Sequence, residues 1–142
     1  MSESFTVFVD RSFGRHDVAN ALRRAGIQTE IHDDHFEMNA PDEEWLTEIG
    51  KRGWVGLTKD ARIGQNTLQR LWVTRYCVKL FVFMSGNMTG PRMGEAIAES
   101  VSRMKRISVA NEAPFIAKIY ASGDARLWRN NEALTDELRF FS

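Results

Sequence analysis

The chain has 142 residues, 43% of them hydrophobic, and equal numbers of acidic and basic side chains, so its formal net charge is zero. That length suffices for one buried core and is short for two, and the balanced charge argues against a generic nucleic-acid coat protein, which binds by neutralising phosphates. The single cysteine, Cys77, excludes an intramolecular disulfide and a cysteine-rich zinc centre.

No apolar run nears the roughly 20 residues that cross a bilayer. Met1-Ser2-Glu3-Ser4 lacks the basic and apolar regions of a signal peptide. A cytoplasmic protein with no membrane partner is expected. The charge is unevenly spread, with seven basic against twelve acidic side chains through Asp60 and twelve against seven from Ala61 onward. Such a split suits an acidic metal pocket beside a phosphate-facing surface, or two halves that neutralise each other across one globule.

Phe5 to Val9 is apolar apart from Thr6, the pattern of a strand buried on both faces. Val18, Ala21, Leu22 and Ala25 then recur at helical spacing, and Gly26 stands where a left-handed residue would end the helix. Ile27 to Ile31 alternates as a second strand, which makes a compact strand-helix-strand unit. His32 to Ala40 reads as a polar loop. Its two imidazoles are not spaced for one helical face, so His32-Asp33-Asp34-His35 is not expected to be a metal site.

Pro41 introduces a helix over Asp42 to Lys51 with Trp45, Leu46 and Ile49 as its apolar stripe, broken by Gly53. Trp54 to Leu57 supplies a third strand. The spacing predicts a helix from Gln65 to Tyr76 carrying Leu68, Leu71 and Trp72 inward, with Asn66 either capping it or facing a pocket. Leu80 to Phe83 is a buried strand, Ser85 to Pro91 a loop, Met93 to Met104 a helix and Phe115 to Ile119 the last predicted strand. The less patterned stretch from about 121 to 142 is expected to extend a single domain, 1–142, and to pack on the core or on a second copy in a homodimer. The fold expected is a three-layer α/β/α domain with a mainly parallel central sheet.

Ligand sites in such sheets lie beyond the carboxyl ends of the strands. Asp10 and Asp60 both follow predicted strands, and Asp42 and Glu43 open the helix leading into the third. Oxygen ligands of this kind suit Mg²⁺ or Mn²⁺, which take one or two direct carboxylates and keep several waters. Such ions activate a water nucleophile and neutralise a leaving oxygen during phosphodiester hydrolysis. Each acid also has an ordinary reading. Asp42, Glu43 and Glu44 lie where a helix dipole favours negative charge, Asp10 can form a turn and Asp60 can cap a helix. It is their combination that points to a metal-dependent nuclease.

The segments Phe8-Val9-Asp10-Arg11, Asp42-Glu43-Glu44-Trp45 and Trp54-Val55-Gly56-Leu57-Thr58-Lys59-Asp60 together resemble the PIN-like domains, in particular the VapC-type toxin nucleases. Leu80 to Phe83, Ser85-Gly86-Asn87-Met88-Thr89 and Pro114 to Ile119 fit the later elements of that family. The resemblance implies a PIN-like fold, a Mg²⁺- or Mn²⁺-dependent endoribonuclease acting on RNA, and a cognate antitoxin as partner. It also implies Asp10, Asp42 or Glu43, and Asp60 as catalytic metal ligands. Arg11 and Lys59 adjoin two of these acids and are candidates to contact the scissile phosphate, with Asn66 and Ser12 counted beside them on the substrate side. Two positions depart from the pattern. Ser12 stands where many relatives carry an acid or amide, and Ala61 to Phe83 contains no acid. These departures keep a second reading open, a catalytically inactive PIN-like module that binds RNA or protein.

Overall fold

The computed structural model describes residues 5–14, 16–60, 62–84 and 87–141, and of 63 and 64 the backbone alone. Met1 to Ser4, and Ser85 and Gly86 of the predicted loop, lie outside these residues.

Among the described residues six strands form one sheet in the order β2-β1-β3-β4-β5-β6. They are β1 (Thr6–Val9), β2 (Gln28–Ile31), β3 (Val55–Thr58), β4 (Lys79–Phe83), β5 (Phe115–Ile119) and β6 (Ala125–Arg129). All neighbours run parallel except β5 and β6, which are antiparallel. The helices are α1 (Asp17–Arg24), α2 (Asp42–Arg52), α3 (Arg62–Gln65), α4 (Thr67–Arg75), α5 (Gly90–Ala110) and α6 (Asn131–Phe141). Single 3₁₀ turns occupy Arg11–Phe13 and His32–Asp34.

Successive strand residues feed opposite faces, as the pleat requires. Val7, Val9, Val55, Leu57, Phe81, Phe83, Phe115 and Ile119 pack with Val18 and Leu22 of α1 and Met93, Ile97 and Met104 of α5. Phe8, Leu80, Val82 and Ile116 pack on the other face with Trp45, Leu46 and Ile49 of α2, Val73 of α4 and Leu134 of α6. This gives three layers with a core on each side of the sheet, the expected α/β/α architecture. No helix of the described residues is long and apolar enough to cross a membrane.

Several expectations shift in detail. The helix predicted from Gln65 is two helices, because Asn66 takes extended backbone and its side chain accepts a hydrogen bond from Gln69 N–H, capping α4. Leu68 consequently points outward and is 55% exposed, while Val73 and Thr74 are buried instead. Cys77 is exposed, in a turn with φ 55°. Phe115–Ile119 is followed by a further strand. β6 completes the sheet edge and α6 packs on α4, where Glu137 accepts from Arg70 at 2.8 and 2.9 Å. Trp128 lies in β6, flanked by Lys118 at 4.6 Å and Arg129 at 3.9 Å from its ring, so it is engaged by cations within the protein.

Gly26 and Gly53 end α1 and α2 with positive φ, 82° and 69°, as helix-terminating glycines do. Gly50 serves differently, since a Cβ there would collide with the backbone carbonyl of Tyr76. Alanine in a helix is intrinsically favoured over glycine by about 1 kcal/mol, but a backbone atom cannot rotate away. Gly50→Ala is therefore expected to destabilise the protein by about 1–3 kcal/mol net, read as a lowered urea midpoint.

Candidate active site

The strand order reverses between β1 and β3, because β1 is flanked by β2 on one side and by β3 on the other. Such a switch point opens a crevice beyond the carboxyl ends of the two strands. Asp10 leaves β1 there, with its N–H donating to Leu57 of β3 (3.0 Å). Thr58 ends β3, and Asp60 follows two residues later. Asp10 is 7% exposed and Thr58 is fully buried.

Two hydroxyls hold the Asp10 carboxylate. Thr58 Oγ1 donates to Asp10 Oδ2 at 2.7 Å and Ser12 Oγ donates to the same oxygen at 3.0 Å. Each hydroxyl also accepts a backbone N–H from the turn after β3, Thr58 from Asp60 (3.0 Å) and Ser12 from Lys59 (2.9 Å). Turn backbone, hydroxyl and carboxylate thus form one relay joining Asp10 to the segment that carries Asp60. Burial raises the pKa of Asp10 above the ordinary carboxylate value; the two hydroxyl donors work against it, and the nearby charge of Asp42 adds to it.

Asp42 opens α2 after the extended Pro41. Its Oδ1 accepts from the indole N–H of Trp45 (2.9 Å) and its Oδ2 from the side-chain amide of Gln69 (3.1 Å). Trp45 is itself fully buried in the core, so Asp42 is oriented by the packing beneath it. Glu43, about 100° further round the helix, accepts from the Tyr76 hydroxyl at 2.7 Å and raises that hydroxyl's pKa. It lines a separate cavity with Pro41, Glu44, Thr47, Glu48 and Tyr76. Of the two adjacent acids, Asp42 is the one whose charge reaches Asp10.

Asp60 meets a cation from its own chain. Arg62 reaches both carboxylate oxygens, with Nε at 2.9 and 3.1 Å and a terminal nitrogen at 2.6 Å, while Arg62 N–H donates to Oδ1 at 3.0 Å. That guanidinium holds the Asp60 carboxyl below its usual pKa. Between Asp42 and this pair lies a cavity of about 460 Å³ lined by Asp42, Arg62, Gln65, Asn66 and Gln69. Asn66 therefore both caps α4 and faces the cavity. Arg11 donates to Asp33 Oδ1 (2.8 Å) and to the Met38 carbonyl (3.3 Å), both beyond the end of β2. Lys59 makes no ion pair among the described residues.

Thr58, Arg62 and Gln69 shape the site although sequence reading did not single them out as site residues. A threonine at a strand end two residues before an aspartate was the available signal for Thr58. Arg62 and Gln69 acquire meaning only once the fold brings Asp60 and Asp42 to them. Among the described residues, no three His, Cys, Asp or Glu side chains are gathered into a cage for an ion. The donor set is nonetheless all oxygen, with Asp10 close enough to Asp42 to feel its charge. That set fits a hard divalent cation held by one or two carboxylates and completed by water.

The raised pKa of Asp10 gives a signed pH dependence. The native state holds the Asp10 proton to higher pH than the unfolded chain does, so the group's contribution to stability falls as pH rises from the unfolded value, near 3.8, through the folded one. Asp10→Asn removes the charge while keeping an acceptor for both hydroxyls. It is expected to be more stable than wild type at neutral pH, with the advantage shrinking as pH falls toward 4 in denaturation series run without metal.

Residues 5–85, more than half of the chain, match the family model described as PIN like domain. The match runs from the start of β1 past the end of β4 and contains Asp10, Asp42, Thr58 and Asp60. A Mycobacterium tuberculosis (strain ATCC 25618 / H37Rv) protein named "Putative ribonuclease VapC45" is 26% identical over 125 residues, covering 85% of this chain and 90% of that protein. No solved structure matches. With the matched segment spanning both strands of the switch point and the acids beyond them, the chain belongs to the PIN-like domain family.

Proposed function

We propose that this protein is a divalent-metal-dependent endoribonuclease that hydrolyses RNA phosphodiester bonds as the toxin of a toxin–antitoxin pair, acting in the cytoplasm. The observation that carries the reading is the buried Asp10 carboxylate at the β1/β3 switch point, held by the Thr58 and Ser12 hydroxyls, with the backbone N–H of Asp60 bonded to that same Thr58 hydroxyl. The family membership and the relative's ribonuclease name support it. The same relative's VapC name supports the toxin role and the cognate antitoxin.

In this reading Asp10 and Asp42 hold a Mg²⁺ or Mn²⁺ ion and Asp60 completes the oxygen set. When bound, such an ion supplies a more acidic water and neutralises charge on the phosphate. Ser12 and Thr58 fix Asp10 by donating to Oδ2, leaving Oδ1 as its other carboxylate oxygen. Both hydroxyl protons are committed to Asp10, so neither residue serves as a nucleophile. Trp45 and Gln69 fix Asp42 in the same manner from the opposite side. Lys59 and the amide-lined cavity of Gln65, Asn66 and Gln69 receive the RNA, and Arg11 serves the fold of the His32–Asp34 turn. Glu43, bonded to Tyr76, stays outside the ion's reach.

A second reading, an inactive PIN-like binding module, is favoured by the absence of a three-acid cage among the described residues. Metal titration and RNA cleavage separate the two. Asp10→Asn and Asp42→Asn are each expected to lower Mn²⁺-dependent cleavage of single-stranded RNA by at least about 10²-fold, and chelation to abolish it. Glu43→Gln should stay within about twofold of wild type. Cleavage by folded Asp10→Asn at the wild-type rate would eliminate the nuclease proposal. A wild-type protein that binds RNA but never cuts it establishes the second reading.

A further inference from the structure

Asp60 is the one proposed ligand whose carboxylate is already matched, oxygen by oxygen, to a cation of the protein. The Arg62 guanidinium engages both oxygens, so a cation that ligates Asp60 meets this fork as a competitor. Arg62 is also the cationic member of the cavity lining shared with Asp42. Its side chain is 81% exposed while that of Asp60 is 19% exposed, so the guanidinium can leave into solvent without disturbing packing.

The position of Asp60 does not depend on the guanidinium. Its N–H is anchored on Thr58 Oγ1 and its Oδ1 on the Arg62 backbone N–H, and the Thr58 hydroxyl is in turn bonded to Asp10. Removing the Arg62 side chain therefore uncovers the carboxylate where it stands. Exposed ion pairs contribute little, at most about fivefold in an equilibrium constant, which makes this contact displaceable by a divalent ion held at the same time by Asp10 and Asp42.

We propose that Arg62 is a built-in counter-ion that competes with the divalent cation for Asp60, holding the carboxylate while the ion is absent and giving it up as the ion binds. Arg62 is thus a residue that sets metal affinity through Asp60. The proposal rests on the metal-dependent reading above, and its test is a binding measurement, independent of RNA cleavage.

Mn²⁺ is titrated into the full chain by calorimetry, with free Mn²⁺ followed by electron paramagnetic resonance, for wild type, Asp10→Asn, Asp60→Asn, Arg62→Gln and the Asp60→Asn/Arg62→Gln pair. Circular dichroism checks that each variant is folded. Arg62→Gln is expected to bind Mn²⁺ about three- to fivefold more tightly than wild type. The gain should vanish in the Asp60→Asn background, because the two residues act through one contact. Arg62→Lys, which keeps the charge but loses the two-point fork, should fall between wild type and Arg62→Gln. Wild-type binding that requires Asp10 but is unchanged or weakened in Arg62→Gln overturns this inference and leaves the metal reading standing. Wild-type protein with no Asp10-dependent binding removes both.

Discussion

Burial of one carboxylate governs the arrangement. Asp10 sits at the end of a strand whose four residues are all buried, in the crevice where the strand order reverses. A buried carboxylate without donors is expensive, and here two hydroxyls supply them to a single oxygen. Those hydroxyls are in turn held by amides of the turn after β3. The carboxylate, both strand ends and the path of the chain into α3 are consequently one hydrogen-bonded unit. Partly satisfied networks of this kind are fragile and fully satisfied ones rigid, and the Ser12 and Thr58 hydroxyls each both donate and accept.

The two cores support that unit from opposite sides. Val9 and Leu57 anchor the ends of β1 and β3 against α1 and α5, whereas Phe8 stacks on Trp45 with ring centroids 5.5 Å apart on the α2 face. Trp45 connects packing to chemistry. Its ring is core and its indole N–H orients Asp42. Gly56, directly opposite Phe8 in the β1/β3 register, leaves room on this face for Ile49, Leu80 and Trp45. The close fit of α2 against the sheet thus controls where its first turn ends, and with it the distance at which Asp42 acts on Asp10.

Elements buried on both faces were legible in the sequence because their apolar residues run without interruption. β1, β3 and β4 are of this kind, and so the strand-end positions of Asp10 and Asp60 could be read directly. β6 could not be read in that way. As Ala-Arg-Leu-Trp-Arg on a sheet edge it carries two cations, Arg129 packed on Trp128 and Arg126 paired with Asp124, and no period separates it from a loop. The break at Asn66 was hidden for a different reason, since the same amide fits a helix interior or a cap until the backbone is known. Within the site, the identity of the inward acid at the start of α2 rests on a rotation of about 100°, which the core contacts of Trp45 decide. The Thr58 and Gln69 contacts span 48 and 27 residues, beyond any local pattern.

The three aspartates are compensated in three different ways, and the differences have a chemical consequence. Asp10 is relieved by its raised proton affinity and two hydroxyls, Asp42 by an indole and an amide that carry no charge, and Asp60 by a full guanidinium charge. Neutral donors orient a carboxylate without cancelling its charge, so Asp42 keeps its attraction for a cation and, through it, disfavours charge on Asp10. A cation entering between Asp10 and Asp42 would favour the ionised form of Asp10 and turn their repulsion into shared ligation. Ser12 completes this logic. Another acid at that position would add a further negative charge to the crevice, whereas a hydroxyl donates to Asp10 and binds the Lys59 amide, trading charge for position.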